Sequence, residues 1–225
     1  MATPKKDRNK LKWRFNFSTK TLIIIPIAVG INVIGGALAS TLKLPVFLDM
    51  IGTILVACLA GPWIAALTGF ITNIFLALVA NPVFLPYAAV SILCGFVAGI
   101  LAFRGAMKHI LGVILLWLTI TVVNTLTASI VTFFVFGGAT GVNATSLLTA
   151  SLVAATKEIF ASVLTSAFIE NLIDKGISTL IAYFIIRSIP PRFLSQYQHQ
   201  FTQPLDDKDV IFDDELADAE DGHGI

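Results

Sequence analysis

From Met50 to Phe103 the chain runs 54 residues without an Asp, Glu, Lys or Arg, and from His109 to Thr156 it runs 48 more. A soluble fold turns a polar face to water from each of its elements, so uncharged runs of that length have no place in one. A membrane span needs about 20 predominantly apolar residues, and each run holds at least two. Charged residues make up 13% of the whole, against about 25% in a soluble domain. A soluble enzyme and a disordered chain are both excluded. The sequence is that of an all-α integral membrane protein.

The formal net charge of +1 conceals two opposite ends. Residues 1–20 carry seven Lys or Arg against one Asp, and residues 206–221 carry nine Asp or Glu against one Lys. Basic residues beside a span belong on the cytoplasmic side of the bilayer and imply no nucleic-acid partner. The acidic end reads as a disordered, solvating tail. The organisation is therefore a basic cytoplasmic segment (1–20), a membrane domain (21–193) and an acidic cytoplasmic tail (194–225). Cys58 and Cys94 lie inside apolar runs and imply no disulfide framework. The apolar stretch Thr21–Leu42 has 22 residues, longer than a signal-peptide core of about 7–15, so it is expected to stay as the first helix.

Charges and turn residues divide the body into six spans: about Thr21–Thr41, Val46–Ala60, Trp63–Ala80, Phe84–Phe103, Ile110–Phe136 and Asn171–Ile189. Lys43-Leu44-Pro45, Gly61-Pro62, Asn81-Pro82 and the GGATGVNATS loop are the breaks. The 41 residues from Leu147 to Arg187 are too many for one span, so an extra outer helical segment is expected between the fifth and sixth. Arg104, Lys108, Arg187 and Arg192 then share a side with the basic N-terminus, which places both termini in the cytoplasm. The second span is short, which suits a tilted or partly buried helix. No internal repeat marks an inverted-repeat transporter.

Catalytic, metal-binding and phosphate-loop motifs are missing. The chain is not expected to be an enzyme, to carry a cofactor or to hydrolyse ATP. Polar residues inside apolar spans are costly and point to function. Asn171, Asp174, Lys175 and Ser178 stand at i, i+3, i+4 and i+7, one face of the last span. Glu170 sits at the edge of that face. Glu158, Ser162, Thr165 and Ser166 repeat the spacing upstream, and Trp117, Thr121, Asn124, Thr125 and Ala128 do so in the fifth span. The Ser and Thr positions alone read more simply as helix glue. Asn124, Glu158, Asn171, Asp174 and Lys175 together read as a ligand site, in which an anionic or zwitterionic group would pair with Lys175. The alternative is an interfacial Asp174–Lys175 ion pair. Asp49 reads equally as a site residue or as a cap of the second helix. Tyr87 is a candidate stacking surface for a ring-shaped ligand.

The stretches LPVFLDMIGTILVACLAGPWIAALTGFITNIFLAL and ENLIDKGISTLIAYFIIRSIPPRF resemble the substrate-binding S component of energy-coupling-factor (ECF) vitamin transporters, and the likeness extends over residues 15–193. The resemblance implies a six-helix, N-in and C-in subunit of a bacterial or archaeal cell membrane. It would capture a vitamin or related micronutrient in a pocket between the outer halves of spans 4–6, covered by loops 1–2 and 3–4. It would then dock in the bilayer onto a membrane coupling subunit with two ATPase subunits. Family members dock through an A-x-x-x-A pattern on helix 1. Here Ala28 is followed at i+4 by Asn32, so the implied docking surface is Ala28, Asn32, Gly35 and Gly36. A stand-alone secondary transporter and a sensory or scaffold module with a partner-binding tail are the rival readings.

The charge distribution generates a direct test of orientation. A thiol reagent applied from outside should label Asn143→Cys and not Ser195→Cys; the reverse pattern would overturn the topology.

Overall fold

The computed structural model describes residues 19–42, 44–141, 144–190 and 197. The basic segment, the acidic tail, Lys43, Asn143 and Arg192 lie outside them. Among the described residues the regular structure is helical: α1 (Thr19–Thr41), α2 (Ile51–Ala60), α3 (Pro62–Val79), α4 (Ala88–Phe103), α5 (Ile110–Phe136), α6 (Thr145–Thr156) and α7 (Ile159–Ser188), with single 3-10 turns at Pro82–Phe84 and Ala106–Lys108.

The breaks follow local chemistry. Gly61 has φ 83°, a conformation that favours glycine, and Pro62 supplies the first residue of α3, where its missing N–H costs nothing. The boundary between the last two helices differs from the sequence expectation. It falls at Lys157, which adopts φ 62° and closes α6 through its N–H to the Val153 carbonyl. α7 therefore runs without a break for 30 residues, about 45 Å at 1.5 Å per residue, instead of starting near Asn171.

α2 occupies the centre, in contact with α1, α3, α4 and α7. Nine of its ten residues are buried, as a helix that is hydrophobic all round requires. It is only about 15 Å long. The expected start at Val46 moves to Ile51 because residues 46–50 are not helical: Leu48 takes φ 54°, and the N–H groups of Phe47 and Leu48 go to Asp174 on α7.

Asn32 fixes the start of α2 from α1. Its Oδ1 accepts the otherwise orphaned N–H of Gly52 (2.7 Å), and its Nδ2 donates to Thr53 Oγ1 (2.9 Å) and Thr72 Oγ1 (3.0 Å). Gly52 lies directly against the Ala28 carbonyl, so close that a Cβ would displace one of the two backbones. α3 and α4 approach similarly, Gly69 facing the Ser91 carbonyl and Gly95 the Ala65 carbonyl. Between α5 and α7, Trp117 Nε1–H donates to the Leu172 carbonyl (2.8 Å) while its ring covers Gly176.

These contacts correct the expected docking surface. Ala28 and Asn32 are buried against α2, Gly35 abuts the Leu48 carbonyl, and Gly36 faces Asp49 and Phe47. Small residues on α1 let the chain's own elements close up, and the outward face of α1 is Leu22, Ile23, Ile27, Ile34 and Leu38.

α1 (over Leu22–Ala39), α3 and α5 are long and apolar enough to cross a membrane. Large aliphatic and aromatic side chains stand exposed along α1, α5 and α7, a surface suited to lipid. The chain is a multi-pass helical membrane protein. Replacing Asn32 by Ala leaves the Gly52 N–H and two hydroxyls without their partner, and should destabilise the protein by about 1–3 kcal/mol. Gly30→Ala, on the same helix with nothing within 4 Å of the new methyl, should be neutral or slightly stabilising. Thermal unfolding in detergent reads both, and equal melting temperatures would refute the role assigned to Asn32.

Candidate ligand-binding site

The polar stripe of α7 turns inward as its spacing requires. Asn171, Asp174, Lys175 and Ser178 are all buried, Asp174 at 0% and Lys175 at 2% exposure. Buried charge needs close compensation, and the two residues supply it to one another. Lys175 Nζ donates to Asp174 Oδ2 and lies 3.8 Å from Asp49 Oδ1. The other oxygen of Asp174 accepts the N–H groups of Phe47 (3.0 Å) and Leu48 (2.7 Å). The pair is thus a buried structural link, not an interfacial one, and it holds the 46–50 segment against α7.

Beside this link lies a cleft, about 800 Å³ of empty space when its open mouth is included. α4, α5, α6 and α7 wall it, with Asn73 of α3 at its side and Met50 beneath. Phe47 and Phe84 line it from two covering segments and meet edge to face, ring centroids 6.4 Å apart. The chain segment 138–140 closes the α5 side.

Five residues expected from sequence meet at this cleft: Asp49, Tyr87, Asn124, Asn171 and Lys175 all line it, and Asp174 sits immediately behind, bonded to Lys175. Asp49 is no cap. α2 starts after Met50 without a side-chain cap, and Asn32 takes the Gly52 N–H instead. The Tyr87 ring stacks on Phe136 (5.9 Å, 6° between planes) and its hydroxyl shares a hydrogen bond with Thr132 (2.6 Å), so one ring face is already occupied. Asn124 Nδ2 contacts Met50 Sδ at 3.7 Å, and Asn171 Nδ2 donates to the Ala167 carbonyl (2.8 Å).

Glu158 does not belong to the site. It precedes α7 in an extended conformation and is exposed, because the helix whose phase would have turned it inward begins one residue later. Glu170, 8% exposed, joins Asp49 as a carboxylate lining the cleft. Asn73, Ser91, Thr149 and Ser166 also line it. Asn73 donates to the Gly69 carbonyl (3.1 Å) and to Ser91 Oγ (2.6 Å), and Thr149 and Ser166 share a 2.6 Å hydrogen bond between α6 and α7. The spacing of Ser162 and Ser166 identified the right face of α7. No sequence signal separates Asn73 from an ordinary helix-packing amide.

A family model described as the substrate-specific component of ECF transporters matches residues 20–186. Comparison with curated proteins and with solved structures gives no match.

The link between α7 and the 46–50 segment carries a specific energetic expectation. Lys175→Met leaves the buried Asp174 carboxylate and the largely buried Asp49 carboxylate without their shared counter-ion and should cost about 3–5 kcal/mol. Adding Asp174→Asn removes one of those charges while its amide oxygen still accepts from Phe47 and Leu48, and should restore part of the loss. Melting temperatures of the two single variants and the double variant in detergent measure this coupling. Strict additivity would show that the charges do not depend on one another.

Proposed function

Because the chain belongs to the family of substrate-specific components of ECF transporters, we propose that it is the ligand-capturing subunit of an ATP-driven importer for a vitamin or related micronutrient. The observation that carries this reading is the cleft itself. One face of α7 and one face of α5 lead their polar residues into it, and two aromatic-bearing segments line it. Its lining mixes apolar walls with a few convergent polar groups, the pattern of a small-molecule site. In this reading the helices make six spans with both termini in the cytoplasm of a bacterial or archaeal cell, and the cleft opens outward. A membrane coupling subunit and two ATPases accept the loaded subunit.

The chain itself performs no chemistry in this reading. It lacks a phosphate-binding loop, so energy for uphill movement comes from the partners. A stand-alone secondary transporter is the second reading, favoured by one observation: Asp174 and Lys175 are buried halfway along α7, where ion-coupled carriers place titratable groups.

Reconstitution separates the two. The purified chain should retain a small molecule, detectable by mass spectrometry after denaturation, and should hydrolyse no ATP. Proteoliposomes holding the chain alone should not accumulate that molecule under a proton or sodium gradient, whereas coupling and ATPase subunits plus ATP should give uptake. Gradient-driven accumulation by the chain alone would replace the first reading with the second.

A further inference from the structure

α3 and α4 meet at the side of the cleft through two neutral side chains, Asn73 and Ser91, both of which line it. Asn73 is 1% exposed, and Ser91 is buried as well. The amide nitrogen of Asn73 gives one hydrogen to the Gly69 carbonyl (3.1 Å) and the other to Ser91 Oγ (2.6 Å). Chemistry fixes the orientation of this amide. A carbonyl can only accept, and the reverse orientation would set two oxygens against each other at Gly69. Both amide hydrogens are then spent, and Oδ1 has no hydrogen-bond partner among the described residues. A buried acceptor without a donor is costly.

Ser91 holds the complementary group. Its oxygen is the acceptor in the bond from Asn73, so its own hydrogen is not used there, and among the described residues the side chain makes no other hydrogen bond. An acceptor and a donor therefore stand side by side at one wall of the cleft, Oδ1 being one amide width from the nitrogen that Ser91 touches. Helix glue requires neither of them. The Nδ2–Oγ bond alone completes the α3–α4 contact, and it leaves Oδ1 and the hydroxyl hydrogen over. Tyr87 stands one helical turn before Ser91 and lines the cleft together with Phe84. Flat aromatic surface of this kind suits a planar ring.

Building on the ligand-capturing role proposed above, we infer that the cleft reads its ligand through a paired donor and acceptor: an N–H beside a carbonyl on a planar ring, as in a lactam or another cyclic amide. Asn73 Oδ1 accepts the N–H, and the Ser91 hydroxyl donates to the carbonyl oxygen. Neither residue carries charge, so this recognition is separate from the Asp174–Lys175–Asp49 cluster. An analogue with ring oxygen in place of the N–H sets a second acceptor against Oδ1 and is rejected on that ground.

2-Quinolone and coumarin test the inference, since they share a bicyclic shape and a carbonyl and differ only by N–H against ring oxygen. Each is titrated into the detergent-purified full chain, previously stripped of bound small molecules, with calorimetry and thermal stabilisation as readouts. 2-Quinolone should bind at least about tenfold more tightly than coumarin. In Asn73→Leu that preference should vanish, a change of ratio that a purely structural role in the α3–α4 contact does not produce. Ser91→Ala serves if Asn73→Leu does not fold: it should weaken both compounds alike, because both carry the carbonyl. Equal binding of the two by the unaltered chain, a preference that survives Asn73→Leu, or undiminished binding by Ser91→Ala would overturn the inference while leaving the cleft a ligand site. If neither compound binds, the molecule released from the unstripped protein decides: a ring with an N–H beside a carbonyl upholds the inference, and any other compound refutes it. If nothing binds and nothing is released, the ligand-capturing reading falls and takes this inference with it.

Discussion

Asp174 uses its two carboxylate oxygens on different parts of the fold. One accepts the N–H groups of Phe47 and Leu48, and the other holds the Lys175 ammonium. A carboxylate at 0% exposure survives in an apolar bundle only when its lone pairs are filled and its charge is matched. Both conditions are met by groups that cannot move independently, one being backbone and the other its neighbour on α7. The 46–50 segment is consequently held out of helical conformation and α2 is delayed to Ile51. Asp49 and Met50 are thereby placed at the cleft. The cleft inherits its geometry from a charge that needed satisfying.

The shortness of α2 completes the arrangement. At about 15 Å it is little more than half as long as its neighbour α3, whose 18 residues span about 27 Å. Met50, the residue before its first turn, lines the cleft from below. The non-helical 46–50 segment precedes α2 and contributes Phe47, Asp49 and Met50 to the cleft. α2 can begin there because the buried N–H of Gly52 is taken by Asn32 Oδ1, while Asn32 Nδ2 donates to Thr53 and Thr72. Two amide side chains thus play opposite parts. Asn32 is fully satisfied and structural, whereas Asn73 keeps an acceptor in reserve at the cleft.

Much of this was legible in the residues. The uncharged runs dictated apolar helices, Gly61-Pro62 marked a break where one occurs, and the 3-4-7 spacing of Asn171, Asp174, Lys175 and Ser178 identified the inward face of α7. Other features were not legible, for physical reasons. A helical phase read from Glu158 assumes that the helix already exists there, and the left-handed turn at Lys157 ended that assumption. Ala28, Asn32 and Gly35 look the same in sequence whether α1 turns them toward a partner subunit or toward its own core. Rotation about the helix axis decides between these, and it is set by Gly52 meeting the Ala28 carbonyl, a contact 24 residues apart in the chain. Glu170 lay at the edge of the expected face, and it lines the cleft beside Asn171.

The same reasoning explains why a lone lysine in an apolar span is a poor guide to ligand charge. An ammonium buried during folding is neutralised by the nearest carboxylates the chain can bring to it, since leaving it unpaired would cost more than any ligand bound later returns. Asp174 and Asp49 do this before a ligand arrives. What remains for recognition is the rest of the lining, which includes the orphaned amide of Asn73 and three aromatic rings. In a site assembled under apolar constraint, the groups that stabilise the fold are drawn into mutual pairs, and specificity passes to the groups those pairs exclude.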